Sequence, residues 1–360
     1  MGCMAGTEDW DDTIRNIVTR GGLVLVIGGP DTGKTTFCQR AALAAIEAGH
    51  RVAIVDADVG QAEVGPPGCV SLAVASAPFG RLADLEPIRS AFVGAISPRY
   101  ATLEHLAAVC RIVQLARSMD AGLLLCDTTG YTRGPAARRL KFAKEFALRP
   151  DYVIELTRMS KTHSYRPVPD GSGATARNVT LPVPSCLAPK PPKMRAQRRE
   201  HRLFKALEGS VVREWPMESV RLSGTWIGSG EPLTPNACAQ LTRALRRTVV
   251  YAETRTGHLG IITTESVPSE VLLTTGRELY GAVDISQTLE SSLSSLLAGL
   301  NDAAGDLLGL GRLIGLDYTG RILRVATPTH SHGLVREIRM GLTRVDQWGR
   351  TLATLRPGDV

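Results

Sequence analysis

Residues Gly28–Thr35 read G-G-P-D-T-G-K-T and fit the pattern G-x-x-x-x-G-K-[ST]. What surrounds the run constrains the fold as much as the run itself. Leu23–Ile27 (L-V-L-V-I) is wholly apolar, as a strand buried on both faces is. Thr36–Ala48 is rich in Ala and other helix formers, and Gly49 stands where a helix stops. Strand, glycine loop and helix in that order predict a loop whose backbone N–H groups wrap nucleotide phosphates. Gly28, Asp31, Thr32, Gly33, Lys34, Thr35 and Thr36 would form the cradle. Lys34 would reach the β- and γ-phosphates, the Thr35 hydroxyl would ligate Mg²⁺, and the helix N-terminus would add partial positive charge. The chain is expected to bind a nucleoside triphosphate.

The segments that follow alternate. Val52–Val55, Leu123–Cys126 and Tyr152–Leu156 read as buried strands, and Thr102–Arg117 and Gly134–Leu148 as helices. This predicts an α/β fold of the P-loop NTPase type, a parallel sheet with helices on both faces and ligand at the carboxyl ends of the strands. From Met159 to Pro192 the texture turns rich in Pro, Ser, Gly and Thr, too long for an ordinary connection and so a candidate lid or mobile loop. After about residue 212 alternation becomes β-like, with Arg321–Ala326 and Val335–Met340 the clearest runs. The expected organisation is a P-loop domain over 1–212, with its lid at about 159–207, and a smaller β-rich domain over 213–360. Trp226, Trp348 and the glycines of Gly305–Gly315 read as packing and turn residues, and His330 with His332 lacks the company a metal site needs.

Composition adds less. The 42 basic and 35 acidic residues give a net charge of +7, which mildly favours a polyanionic partner. Its distribution is more telling, since Lys190, Lys193, Arg195, Arg198, Arg199, Arg202 and Lys205 are opposed only by Glu200. The seven cysteines form no C-x-x-C pair and no zinc-type cluster, and read mostly as buried thiols of a reducing compartment. No apolar run reaches membrane-spanning length and the acidic start is unlike a secretory signal, so a soluble cytoplasmic protein is expected.

Three segments carry candidate chemistry. Asp56–Gln61 (D-A-D-V-G-Q) follows the second strand. Asp58 there is the candidate to hold Mg²⁺, directly or through water, or to accept a proton from a nucleophile, with Gln61 orienting water or phosphate. The alternative is that the Asp pair only ends a strand and caps a turn. Asp127–Gly130 (D-T-T-G) ends another strand, making Asp127 a second candidate for Mg²⁺; D-x-x-G also occurs in GTPases, but no N-K-x-D guanine selector accompanies it. Tyr131, in the loop, is a candidate to stack a base or to serve the core. Arg195, Arg198, Arg199 and Arg202 fall at i, i+3, i+4 and i+7, one face of a helix, where they repel unless an anion lies between them. Following a Pro/Gly-rich stretch, they could swing over the γ-phosphate.

With these motifs in this order the chain resembles the polynucleotide 5′-hydroxyl kinases related to the cleavage-and-polyadenylation factor and to the ribosomal-RNA processing kinases. The shared features are Asp31 at the fourth place of the phosphate loop, D-x-D-x-G-Q at Asp56–Gln61 with Pro67-Gly68 after it, T-x-G-[WY]-x-x-G at Thr128–Gly134, and the arginine-rich lid at Arg195–Arg202. Gly309–Gly311 and Ala326–Pro328 match C-terminal features more loosely. The resemblance implies ATP and Mg²⁺ bound through Lys34 and Thr35, and Asp58 activating the 5′-hydroxyl of an RNA or DNA end. It implies that Arg195, Arg199 or Arg202 serves the transition state. Ser97-Pro98 lies where the family tends to have Thr-Pro of a substrate clasp, and Thr129, Tyr131 and Arg133 fall on its substrate side. The chain departs from the family in carrying Tyr131 for a larger indole, Asp127 where Asn is frequent, and clasp residues after Pro98 that do not match. Only about twenty residues precede the first strand, so the N-terminal β-domain of the eukaryotic members, which helps hold adenine, is expected to be missing, with Trp10 or Asp9–Ile14 as substitutes. Two other classes fit the motifs: a nucleotide-driven switch or maturation factor without kinase activity, and a nucleic-acid-binding scaffold that keeps ATP for structure.

Overall fold

The computed structural model describes residues 8–158 and 176–360. Contacts divide the chain into two compact units, Met1–Arg202 and Leu203–Val360.

The first unit opens with an unanticipated helix, α1 (Glu8–Arg20), acidic in its first turn and buried along Trp10, Ile14 and Ile17. Then come β1 (Gly22–Gly28), α2 (Lys34–Glu47), β2 (Val52–Ala57), β3 (Cys69–Ala75), β4 (Arg89–Phe92) and α3 (Thr102–Arg117). The unit continues with β5 (Leu123–Thr128), α4 (Pro135–Leu148), β6 (Tyr152–Thr157), β7 (Arg177–Pro182) and α5 (Pro192–Leu207). The sheet order is β4-β3-β2-β5-β1-β6-β7. The five strands from β2 to β7 are parallel, as expected, while β3 and β4 extend one edge antiparallel. Val24, Val26, Ile54, Leu125 and Ile154 pack with α1 and α2, whereas α3 packs on β2 to β5 from the opposite face and on α4. Helices therefore cover both faces.

Two details differ from expectation. Within the Pro-rich stretch Arg177–Pro182 pairs parallel with β6 as the edge strand, and residues 159–175 lie outside the described residues. Trp10 is no platform for adenine. It is 1 % exposed, meets Phe37 edge to face, and its indole N–H donates to the Pro182 carbonyl at 2.9 Å.

The second unit carries two sheets. One joins β10 (Glu231–Pro232), β11 (Val249–Arg255), β12 (His258–Thr263) and β13 (Asp284–Leu289), accompanied by helices α6 (Pro235–Leu245) and α7 (Ser269–Tyr280). The other runs β18 (Thr351–Thr354), β17 (Glu337–Val345), β14 (Leu296–Asn301), β15 (Leu307–Asp317), β16 (Ile322–Thr327), β8 (Val211–Pro216), with β9 (Arg221–Ser223) beside β17. A short helix, α8 (Glu290–Leu293), precedes β14. Gly309 and Gly311 lie inside β15, where a Cβ would come within 2.2 Å of Thr329 Oγ1 and 2.4 Å of Val325 Cγ1, so these glycines serve packing. Trp226 stacks on Tyr251 above Gly260. Trp348 differs from its expected packing role: it is 56 % exposed, with Arg350 over its ring. Among the described residues there is no group of three His, Cys, Asp or Glu that could hold a metal ion, and no helix long and apolar enough to cross a membrane.

Because Trp10 fills the space between α1, α2 and the end of β7, Trp10→Ala is expected to cost about 3–5 kcal/mol. A lowered urea midpoint for the first unit, read from its helical signal, checks this.

Candidate active site

Parallel register brings the functional residues together. Asp127 is the Cα partner of Val26 on β1 and of Asp56 on β2, so the carboxyl ends of three neighbouring strands meet the phosphate loop. The loop leaves β1 and enters α2 at Gly33, whose φ of 87° belongs to glycine. A Cβ there would lie 2.5 Å from Leu187 Cδ1. No side chain caps α2, which leaves its first N–H groups to an anion. Asp31 also takes a left-handed φ, 56°, a conformation Asp tolerates better than most residues. Thr32 is buried and closes the loop through a 3.0 Å bond to the Gly29 carbonyl, and Thr36 is exposed at the start of α2. Lys34, 6 % exposed, donates to the same carbonyl at 2.9 Å, so its ammonium lies across the loop's mouth.

The D-x-D pair divides its labour. Asp56 is buried, and its carboxylate accepts the N–H groups of Asp58, Glu63 and Val64, tying the turn after β2 to the strand. Asp58 is half-buried and accepts from Gly60 and Gln61 through Oδ1 alone. The structural reading thus describes Asp56, and Asp58 is the carboxylate turned outward. Asp127 Oδ2 accepts the Thr35 hydroxyl at 2.5 Å, while Oδ1 is buried without a partner. Burial pushes Asp127 up to about 6 against the pull of Lys34 and Thr35, and burial together with the Asp127 charge raises Asp56 well above the usual carboxylate range. Crowded carboxylates with an orphaned buried oxygen beside a threonine hydroxyl suit a hard divalent cation, so Thr35 and Asp127 fit Mg²⁺, with Asp58 in the next turn.

Helix α5 crosses above. Arg195 pairs with Asp31 at 2.5 Å, Arg198 lies 3.6 Å from Glu63, and Arg202 donates to the carbonyls of Ala62 and Glu63 at 2.8 and 2.6 Å. Gln61, expected to orient water or phosphate, instead donates through Nε2 to the Arg195 carbonyl at 3.2 Å. The Arg199 Nε is buried and unpartnered. The arginine face is therefore docked on phosphate loop and carboxylate turn together, with Arg199 holding unused donors.

Two loops flank this centre. Gly60 approaches the Ile96 carbonyl so closely that a Cβ would sit 2.7 Å away, which places Ser97 beside the Asp58 turn. Pro98 is buried and its carbonyl accepts the Thr102 hydroxyl at the start of α3. On the other side Gly130 sits against Pro30, where a Cβ would lie 2.9 Å from its nitrogen. Thr129 is 2 % exposed and its hydroxyl accepts the Tyr131 N–H, so it shapes the turn and faces no open space. Tyr131 is half-buried and Arg133 exposed. Sequence reasoning missed Arg158, which bridges the carbonyls of Asp31 and Leu187 at 2.7 Å each, and the buried His105, Lys141 and Lys144 behind the carboxylates. A lysine in a helix reads as solvent-facing, so their spacing carried no signal.

The P-loop of the mRNA cleavage and polyadenylation factor CLP1 matches residues 28–207. A polyribonucleotide 5′-hydroxyl-kinase of Pyrococcus furiosus is 30 % identical over 352 residues, 97 % of this chain and 95 % of the relative. One of Thermococcus kodakarensis is 30 % identical over 92 % of this chain and 91 % of its own. Among solved structures, a Clp1p–Pcf11p complex aligns with a TM-score of 0.58 at 10 % identity, covering 95 % of this chain and 80 % of that one, and shares the fold. The chain belongs to the CLP1-type polynucleotide kinase family.

The two aspartates of D-x-D should fail differently. Asp56→Ala orphans three backbone donors, each worth about 1–3 kcal/mol if buried unsatisfied, and is expected to lower the melting temperature sharply. Asp58→Asn is expected to melt within a few degrees of the parent, about what 1 kcal/mol would shift it, and to bind fluorescent ATP normally. Thermal unfolding beside nucleotide titration separates them.

Proposed function

We propose that this chain is an ATP-dependent polynucleotide 5′-hydroxyl kinase that moves the γ-phosphoryl group of ATP to the 5′-hydroxyl end of RNA or DNA, with RNA first because the relatives are named for polyribonucleotide. The observation that carries the reading is α5 docked across Asp31 and the Asp58 turn at once, which sets arginine, phosphate loop and outward carboxylate around one space. That is what in-line phosphoryl transfer needs, since positioning and charge neutralisation supply most of its rate.

Asp58 takes the proton of the 5′-hydroxyl as its oxygen bonds to the γ-phosphorus; the bond to the β-phosphate oxygen breaks and ADP leaves. The N-terminus of α2 and Lys34 hold the β- and γ-phosphates, and Arg199 offers unused donors to the charge spread over the transferring group. Mg²⁺ held by Thr35 and Asp127 would neutralise charge between the phosphates. Ser97 and Tyr131, on loops either side, are the candidate contacts for the terminal nucleotide, and Arg133 for a following phosphate. Pro98 and Thr129 shape those loops from within.

Transfer of labelled γ-phosphate from ATP to short 5′-hydroxyl RNA and DNA oligonucleotides is expected, and its loss in Lys34→Ala would tie it to this site. Arg199→Ala should lower kcat by about 10³ with KM for ATP little changed. Arg133→Ala should reduce the salt slope of oligonucleotide binding by about one. Free phosphate without labelled oligonucleotide would favour the nucleotide-driven switch, and neither product would leave a scaffold.

A further inference from the structure

Helix α4 reads P-A-A-R-R-L-K-F-A-K-E-F-A-L, and its buried face mixes Ala137, Leu140 and Leu148 with two lysines, which an ordinary surface helix would turn outward. Lys141 and Lys144, one turn apart, are 4 % and 0 % exposed, while Phe146 is 83 % exposed. Burying an ammonium is unfavourable unless its hydrogens and charge are used. Lys141 uses its hydrogens: Nζ donates to Thr128 Oγ1 at 2.8 Å and to the Thr129 carbonyl at 3.0 Å, while burial, then Lys144 and Lys34, push its pKa well below that of an ordinary lysine against the pull of Asp58. Thr128 passes the restraint on by donating to the Val26 carbonyl at 2.8 Å, at the end of β1.

From α3, the fully buried His105 places Nε2 2.9 Å from the Ala57 carbonyl. A carbonyl only accepts, so Nε2 carries the hydrogen, and Nδ1, buried and unpartnered, keeps its lone pair. Burial first, then the positive charges of Lys144 and Lys141, hold this imidazole neutral. Lys144 is itself without a partner, and burial pushes it down to about 8 against the pull of Cys126, Asp58, Cys110 and Asp127.

We propose that His105 and Lys141 are positioning residues, a buried clamp that fixes the Ala57–Asp58 peptide and the Thr128–Thr129 turn and so sets the outward carboxylate of Asp58 against that of Asp127. The proposal rests on the kinase reading for what Asp58 does. Each restraint reaches the backbone adjoining a carboxylate and neither touches the carboxylate itself, so the clamp acts on geometry. Neutral His105 donates one hydrogen bond and exchanges no proton during turnover.

His105→Leu and Lys141→Met are expected to lower kcat by about 10- to 100-fold, the scale of a misplacement near 1 Å, with KM for ATP within about twofold. His105→Gln, which keeps a donor at similar reach, should recover most of the loss. Unchanged kcat in His105→Leu, or no recovery in His105→Gln, would overturn the role of His105. Two readouts do not depend on turnover. In histidine-labelled protein, one imidazole should stay in the neutral Nε2–H form from pH 8 to pH 5 and vanish in His105→Gln; a His105 signal that titrates near pH 6.5 overturns the clamp. Mn²⁺ binding to the ADP complex, followed by electron paramagnetic resonance, should weaken in Lys141→Met, and equal affinity removes Lys141 from the proposal. These two readouts still decide the clamp if the wild-type protein transfers no phosphate, an outcome that would sink the kinase reading alone, or if His105→Leu fails to fold.

Discussion

Asp56 and Asp127 stand opposite each other on adjacent parallel strands, both buried, with Asp58 one turn away, and the rest of the site answers that concentration of negative charge. Burial raises the protonation of both, helped by the Asp127 charge at Asp56 and by the Asp58 charge at Asp127. Three solutions appear around them. Asp56 is neutralised locally by three backbone N–H donors. Asp127 receives the Thr35 hydroxyl and retains one oxygen with no protein partner. Asp58 is left half-exposed at the rim. A metal-bound polyphosphate in the phosphate loop opposite would bring the missing positive charge, and the helix N-terminus would receive its anionic side.

Electrostatics also accounts for α5. Four arginines on one helical face repel one another in isolation, but here three are spent on Asp31, Glu63 and the Ala62 and Glu63 carbonyls. Asp31 is central, because its left-handed backbone turns its carboxylate toward Arg195 while its carbonyl accepts from Arg158. A polyphosphate entering the loop would add an anion beside Asp31 and give Arg195 a second partner. Arg199, with its Nε buried and unused, needs no such exchange.

Much of this was legible from residues alone, for physical reasons. Buried parallel strands are continuous apolar runs, so Leu23–Ile27, Leu123–Cys126 and Tyr152–Leu156 stood out, and the glycine loop fixed which strand end carries the ligand. The spacing of Arg195, Arg198, Arg199 and Arg202 gave the helix and its face. Strands β3 and β4 were missed because a reading built on alternating strand and helix expects a helix after every strand. Strand β7 was hidden in a Pro-rich stretch, which a sheet edge tolerates because only one side of the strand must be paired. Trp10 was misjudged because it was cast as a substitute for an adenine-holding domain, whereas α1, whose amphipathic pattern was overlooked, carries it inward.

The buried lysines were invisible for a deeper reason. Periodicity assigns faces by polarity, and on α4 Ala137, Leu140 and Leu148 mark the inner face correctly, while the rule would turn Lys141 and Lys144 outward from it. Burial pushes both lysines toward the neutral form, and the nearby negative groups that oppose it are led by Asp58 and Cys126, with Cys110 and Asp127 also acting on Lys144. Lys141, hydrogen-bonded to the turn after β5, thus ties the helix behind the sheet to the carboxyl end in front of it. Two lysines on the otherwise apolar inner face of a helix beside a phosphate loop are where periodicity alone fails and the site's own residues must be read instead.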